Sequence, residues 1–94
     1  MEAGRSGQKA VTTAGTEVAL GSGAVNGPLM IKALAANTGK MYVGNDGAGA
    51  VANSSGYELS AGDSVILNYV ADLNTVMVDS SVNGEKVCWL ALGG

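Results

Sequence analysis

The chain has no histidine and no phenylalanine, one cysteine, one proline, and five basic residues among its 94. Each shortage removes a class of activity. The lone Cys88 has no partner for an internal disulfide. Without an imidazole to take its proton it also lacks the general base of a thiol nucleophile. Its place in the apolar run Val87-Cys88-Trp89-Leu90 marks it as a small buried hydrophobe. Transition-metal sites need histidine or several cysteines, and the segment around Asp46 lacks the alternating carboxylates of a calcium loop. No catalytic residue, cofactor site or metal site is therefore expected.

The cations Arg5, Lys9, Lys32, Lys40 and Lys86 are scattered and form no basic stripe, and the net charge is −3. Nucleic-acid binding needs clustered cations to displace counterions, usually with aromatics for stacking, so that class is set aside. The glycine-rich stretch 21–27 is no phosphate loop, because such a loop opens a helix and Pro28 with an extended segment follows here. There is no G-x-S-x-G elbow. The acids Glu2, Glu17, Asp46, Glu58, Asp63, Asp72, Asp79 and Glu85 fall mostly at expected strand ends and turns, where solvation is the default. A glycosidase pair among them would need sugar-stacking aromatics, and only three tyrosines and one tryptophan exist. No apolar run approaches the roughly 20 residues of a membrane-spanning helix. Residues 1–7 lack the apolar core of a signal peptide and read as a flexible arm. The expectation is a cytoplasmically made chain with no membrane partner.

What is present is a beat of short β-type segments at 9–13, 28–34, 40–44, 63–70, 75–79 and 86–92, separated by Gly, Asn, Asp or Pro. Strands at such spacing predict an all-β domain over residues 8–94. The expected form is a single small β-sandwich or jelly-roll-like barrel of about seven to eight short, mainly antiparallel strands. Ala14-Gly15 suits a first hairpin or a bent edge strand. The Asn26-Gly27-Pro28 end of the glycine-rich stretch predicts a loop with a strand starting at Pro28 or Leu29. Residues 46–52 read as a loop or weak edge strand. Asn83-Gly84 between two apolar runs predicts a hairpin.

The two-residue period of a strand then divides side chains by face. Leu29, Ile31 and Ala33 face in, while Lys32 marks the face it shares with Met30 and Leu34 as outward. Val65, Leu67 and Tyr69 are expected inward with Ile66 outward, Val76 and Val78 inward with Met77 outward, and Met41 and Val43 inward with Tyr42 opposite. The last strand is apolar on both sides, with Val87, Trp89 and Ala91 against Cys88, Leu90 and Leu92. A small domain with apolar outward positions, and only 14% charged residues against about 25% in an average soluble domain, suits a subunit covered by its neighbours. The expected partner interface is Met30, Leu34, Tyr42, Ile66, Met77, Leu90 and Leu92.

Four passages stand out together: Ile31-Lys32-Ala33, the Asn37-Thr38-Gly39 turn into Lys40-Met41-Tyr42-Val43-Gly44, the stretch from Gly56 through Leu59 and Gly62-Asp63-Ser64 to Val65, and residues 72–79. Taken together they resemble small virion proteins and fibre-base modules of tailed bacteriophages. The similarity runs from roughly Met30 to Leu92 and rests on turn-and-strand grammar. It implies a β-sandwich or jelly-roll domain with no catalytic residues to transfer. The implied role is a capsid decoration, or cement, protein on the virion surface, bound to the major capsid protein or another virion protein and commonly grouped as trimers. A tail or fibre-attachment module is the alternative. A carbohydrate-binding sandwich is a further one, and would need an exposed platform such as Trp89 or Tyr57.

Overall fold

The computed structural model describes residues 6–44 and 56–92. They form eight strands: β1 (Ser6–Val11), β2 (Val18–Ala19), β3 (Ala24–Ala33), β4 (Met41–Gly44), β5 (Tyr57–Leu59), β6 (Ser64–Asp72), β7 (Met77–Ser80) and β8 (Glu85–Ala91), with one 3-10 turn over Leu73–Thr75. Sheet A has the order β1-β8-β3-β6 and sheet B the order β2-β7-β4-β5, every pairing antiparallel. The fold is the expected small β-sandwich. β1 starts at Ser6, so Ser6 and Gly7 of the expected arm pair with Leu90 and Trp89. Residues 1–5 and the segment 46–52 lie outside the described residues.

The core confirms the period-two division over most of the chain. Leu29, Ile31, Ala33, Val87 and Ala91 of sheet A meet Met41, Val43, Leu59 and Val78 of sheet B, with Val11, Leu20, Val70, Leu73 and Val76 closing the ends. Trp89 packs against this cluster from the side, and its ring lies over Gly7, where a Cβ would come within 2.9 Å of it.

The connections depart from expectation. Apart from β4–β5, each strand is followed by one in the opposite sheet. Ala14-Gly15 therefore makes no hairpin; the chain bends there from the edge of sheet A to the edge of sheet B. Asn83-Gly84 likewise carries β7 of sheet B into β8 of sheet A, with Gly84 at φ 81°. Asn-Gly supplies the left-handed backbone of a reversal, but the reversal does not dictate which strands pair.

Two register shifts correct the expected faces. Leu29 pairs with Leu67 and Gly27 with Val70, so β6 carries one extra residue at Asn68-Tyr69. This bulge turns Val70 into the core and leaves Tyr69 59% exposed, reversing its expected orientation. A second shift between Ala24 and Gly27 puts the extra residue in β3, where Asn26 takes φ 49°. Pro28 lies inside β3 rather than at its start. It sits opposite the β6 bulge, where the ladder is interrupted, and its carbonyl accepts Leu92 N–H at 3.0 Å.

The acids also depart from the solvated default. Asp79 and Glu85 are buried, and each carboxylate holds a crossover. Glu85 Oε1 accepts Thr38 N–H at 2.6 Å and Gly39 N–H at 2.5 Å, pinning the β3–β4 link to β8. Asp79 Oδ1 accepts Gly15 N–H at 3.0 Å and Ser80 N–H at 2.7 Å, pinning the β1–β2 link to β7. Asp72 Oδ1 accepts Gly23 and Asn74 N–H, and Asp63 Oδ2 accepts Ser60 N–H. The Asn37 side chain both accepts from Lys86 N–H and donates to Lys86 C=O, completing the ladder at the start of β8. Gly39 has no room for a side chain, since a Cβ would stand 2.5 Å from Ser81 Oγ.

Removing the Glu85 carboxylate strands two amide donors in a part-buried site. Glu85→Ala is expected to lower the unfolding free energy by about 3 kcal/mol. The Lys40–Glu58 ion pair, 3.6 Å apart with both side chains about half exposed, should contribute at most about 0.5 kcal/mol. Urea denaturation of Glu85→Ala and Glu58→Ala measures the contrast, and equal losses would refute the role given to Glu85.

Candidate functional site

The strands place five of the seven expected interface residues on one surface, the outer face of sheet A. Met30 on β3 lies in register between Leu90 on β8 and Ile66 on β6, so one row runs Leu90–Met30–Ile66 across three strands. Leu92 continues β8 past this row, with its amide on Pro28, and Leu34 continues β3 at the opposite end, with its amide on Lys86. Leu90, Leu92 and Ile66 are 46%, 48% and 50% exposed, and Met30 is half-buried between its neighbours.

The other two, Tyr42 and Met77, lie on the outer side of sheet B. Both are already buried within the chain, packed together with Ala19. Tyr42 pairs with the buried Asp79, and Met77 with Gly44 and Ala19. They do not join the exposed face. Their outward direction was legible from the period of two; their cover was not.

The next row of sheet A is polar: Gln8, Cys88, Lys32 and Ser64 lie side by side. Cys88 is half-buried rather than buried, its Sγ 3.6 Å from Lys32 O. A shallow, largely apolar depression is lined by Met30, Lys32, Cys88, Trp89 and Leu90. One row further on, Lys86 stands beside Ala10. The strand rows of this face thus hold two cations, Lys32 and Lys86, and no carboxylate, although the chain as a whole is acidic. The cause is local: Glu85 points to the core side of β8, and Asp63 and Asp72 are engaged at the chain reversals.

No group of three or more of Cys, Asp and Glu among the described residues is placed to hold a metal ion. Trp89 is turned onto Gly7, while Tyr57 and Tyr69 are exposed on different sheets, so the aromatics do not line up as one sugar platform. No helix among the described residues is long and apolar enough to cross a membrane. No protein-family model matches the chain, and no curated protein or solved structure is similar to it. What this face can do therefore follows from its own chemistry, an apolar row with Lys32 in the next row and Lys86 in the one after.

The two outer faces respond differently to truncation. Tyr42→Ala removes a buried aromatic and should cost about 3 kcal/mol. Leu90→Ala removes a half-exposed side chain and should change stability by about 0.5 kcal/mol or less. Thermal or urea unfolding distinguishes them, and a Leu90→Ala loss as large as that of Tyr42→Ala would show that Leu90 belongs to the fold rather than to a free surface.

Proposed function

We propose that this chain is a structural component of a tailed-phage particle, a decoration subunit that docks on the assembled head through the outer face of sheet A. The observation that carries the proposal is the row Leu90–Met30–Ile66, laid across three strands with Leu90 and Ile66 exposed, followed by rows that hold Lys32 and Lys86 and no carboxylate. The sequence resemblance from Met30 to Leu92 supplies the particle. The face supplies the chemistry of contact: apolar burial at the centre, with charge complementarity to a partner patch rimmed by Asp or Glu.

The work done is physical. A subunit that binds only the assembled shell adds its binding free energy to that state and stabilises it by mass action. Such a role asks for a rigid face and a stable scaffold. A sandwich supplies both, because side chains of one sheet face are fixed by the ladder and by the core beneath them.

Particles lacking the chain should take it up in saturable, stoichiometric amounts and retain their DNA to higher temperature. Met30→Asp combined with Leu90→Asp should abolish uptake while the circular dichroism spectrum stays that of a folded β protein. Lys32→Glu with Lys86→Glu should weaken uptake by about tenfold or more. Absence of the chain from purified particles, or undiminished uptake of the double aspartate variant, would overturn the proposal.

A further inference from the structure

The four sheet edges are treated unequally. β2 is two residues long and β5 three, too short to template another strand, and β5 is flanked by the Lys40–Glu58 ion pair. β1 is longer but carries Lys9, which shares a row with core-facing Val87 and so leaves the strand on its inner side. Short edges and inward charges are the devices by which sandwiches block edge-to-edge pairing. β6 has neither. It spans nine residues, pairs among the described residues with β3 alone, and contains no charge and no proline from Ser64 to Ala71.

The direction of its free hydrogen-bonding groups can be read from its paired side. Ala33 N–H donates to Asp63 C=O, and Ala33 C=O accepts Gly62 N–H, so both backbone groups of Ala33 turn toward β6. Alternation along an antiparallel ladder then turns those of Ile31 and its partner Val65 toward one another. Ser64 and Ile66 consequently direct N–H and C=O away from β3, to the open edge.

We infer that this edge is a self-association site, at which β6 of a second copy of this chain pairs antiparallel about a two-fold axis centred on Ile66. A two-fold contact needs one self-complementary patch, and an extended edge with alternate outward donors and acceptors is such a patch. Facing residues of an antiparallel pair lie on the same side of the sheet. Centring on Ile66 meets that condition, since Ile66 faces Ile66 on the outer side and Val65 faces Leu67 of the second copy on the inner side. The pairing runs over Ser64–Asn68, with Ser64 opposite Asn68 of the second copy, and Asp63 bounds it on one side and the rest of the bulge on the other. Sheet A becomes eight strands, and the row Leu90–Met30–Ile66 continues into its symmetry mate. The pairing stands apart from the virion role, and it yields a pair rather than the trimer that the resemblance implies. An edge contact buries little area, so the pair is weak and concentration-dependent.

Sedimentation of the full chain should shift from 9.3 kDa at high dilution toward twice that mass at millimolar concentration. Ile66→Pro removes an amide that serves only the open edge, so it should remain folded and monomeric throughout. Hydrogen exchange of the unaltered chain gives a second reading: the Ile66 amide should exchange slowly when concentrated and fast when dilute. A chain monomeric at millimolar concentration, an Ile66→Pro variant that still dimerises, or an Ile66 amide that exchanges fast at both concentrations would overturn the inference.

Discussion

The interaction on which the rest of the structure depends is the acceptance of loop amides by buried carboxylates at the crossovers. Nearly every link passes from one sheet to the other, so the sheets are tied through loops that must be ordered at an entropic cost. Glu85 receives the amides of Thr38 and Gly39, and Asp79 those of Gly15 and Ser80. An ionised carboxylate makes stronger hydrogen bonds than a neutral acceptor, and paired amide donors offset the cost of taking it from water. These contacts set where β8 begins relative to β3, and that register places Leu90 beside Met30 and Cys88 beside Lys32. The outer face is thus a downstream product of how the loops are held.

Part of this was legible in the sequence. The alternation of Leu29, Ile31 and Ala33 against Met30 and Lys32, and of Val87, Trp89 and Ala91 against Cys88 and Leu90, needs only the pleat of a strand, and the core follows it. Because the alternation was right for β3 and β8, and for β6 up to Leu67, the residues of the exposed row could be named before their neighbours were known. Past Leu67 the same rule failed, since one extra residue inverts all that follows, and nothing in Asn68-Tyr69 announces a bulge.

Sheet membership and the buried acids were not legible for a different reason. Turn residues encode local backbone angles, whereas the choice of partner strand is settled by contacts far along the chain. Asn83-Gly84 reverses the chain as its chemistry demands, yet β7 and β8 enter different sheets. The amides that Glu85 accepts lie 46 and 47 residues away in sequence, and the Gly15 amide on Asp79 lies 64 away. An acid at a strand end looks the same in the sequence whether it meets water or a distant loop. Tyr42 and Met77 illustrate the same limit: their side of the strand was fixed by parity, and their burial by packing that parity does not describe.

The use of the acids inside the scaffold also explains the sign of the exposed face. Four of the chain's eight acids, Asp63, Asp72, Asp79 and Glu85, hold backbone amides at chain reversals and strand ends, away from the rows of sheet A. Lys32 and Lys86 lie in those rows on the outer side of β3 and β8, the positions that alternation leaves to solvent. An acidic chain thereby presents a locally cationic, apolar-centred surface. Stability resides in inward side chains and loop carboxylates, while the outward side chains of the same strands form the exposed face. The two sets alternate along β3 and β8, so each can vary with little effect on the other.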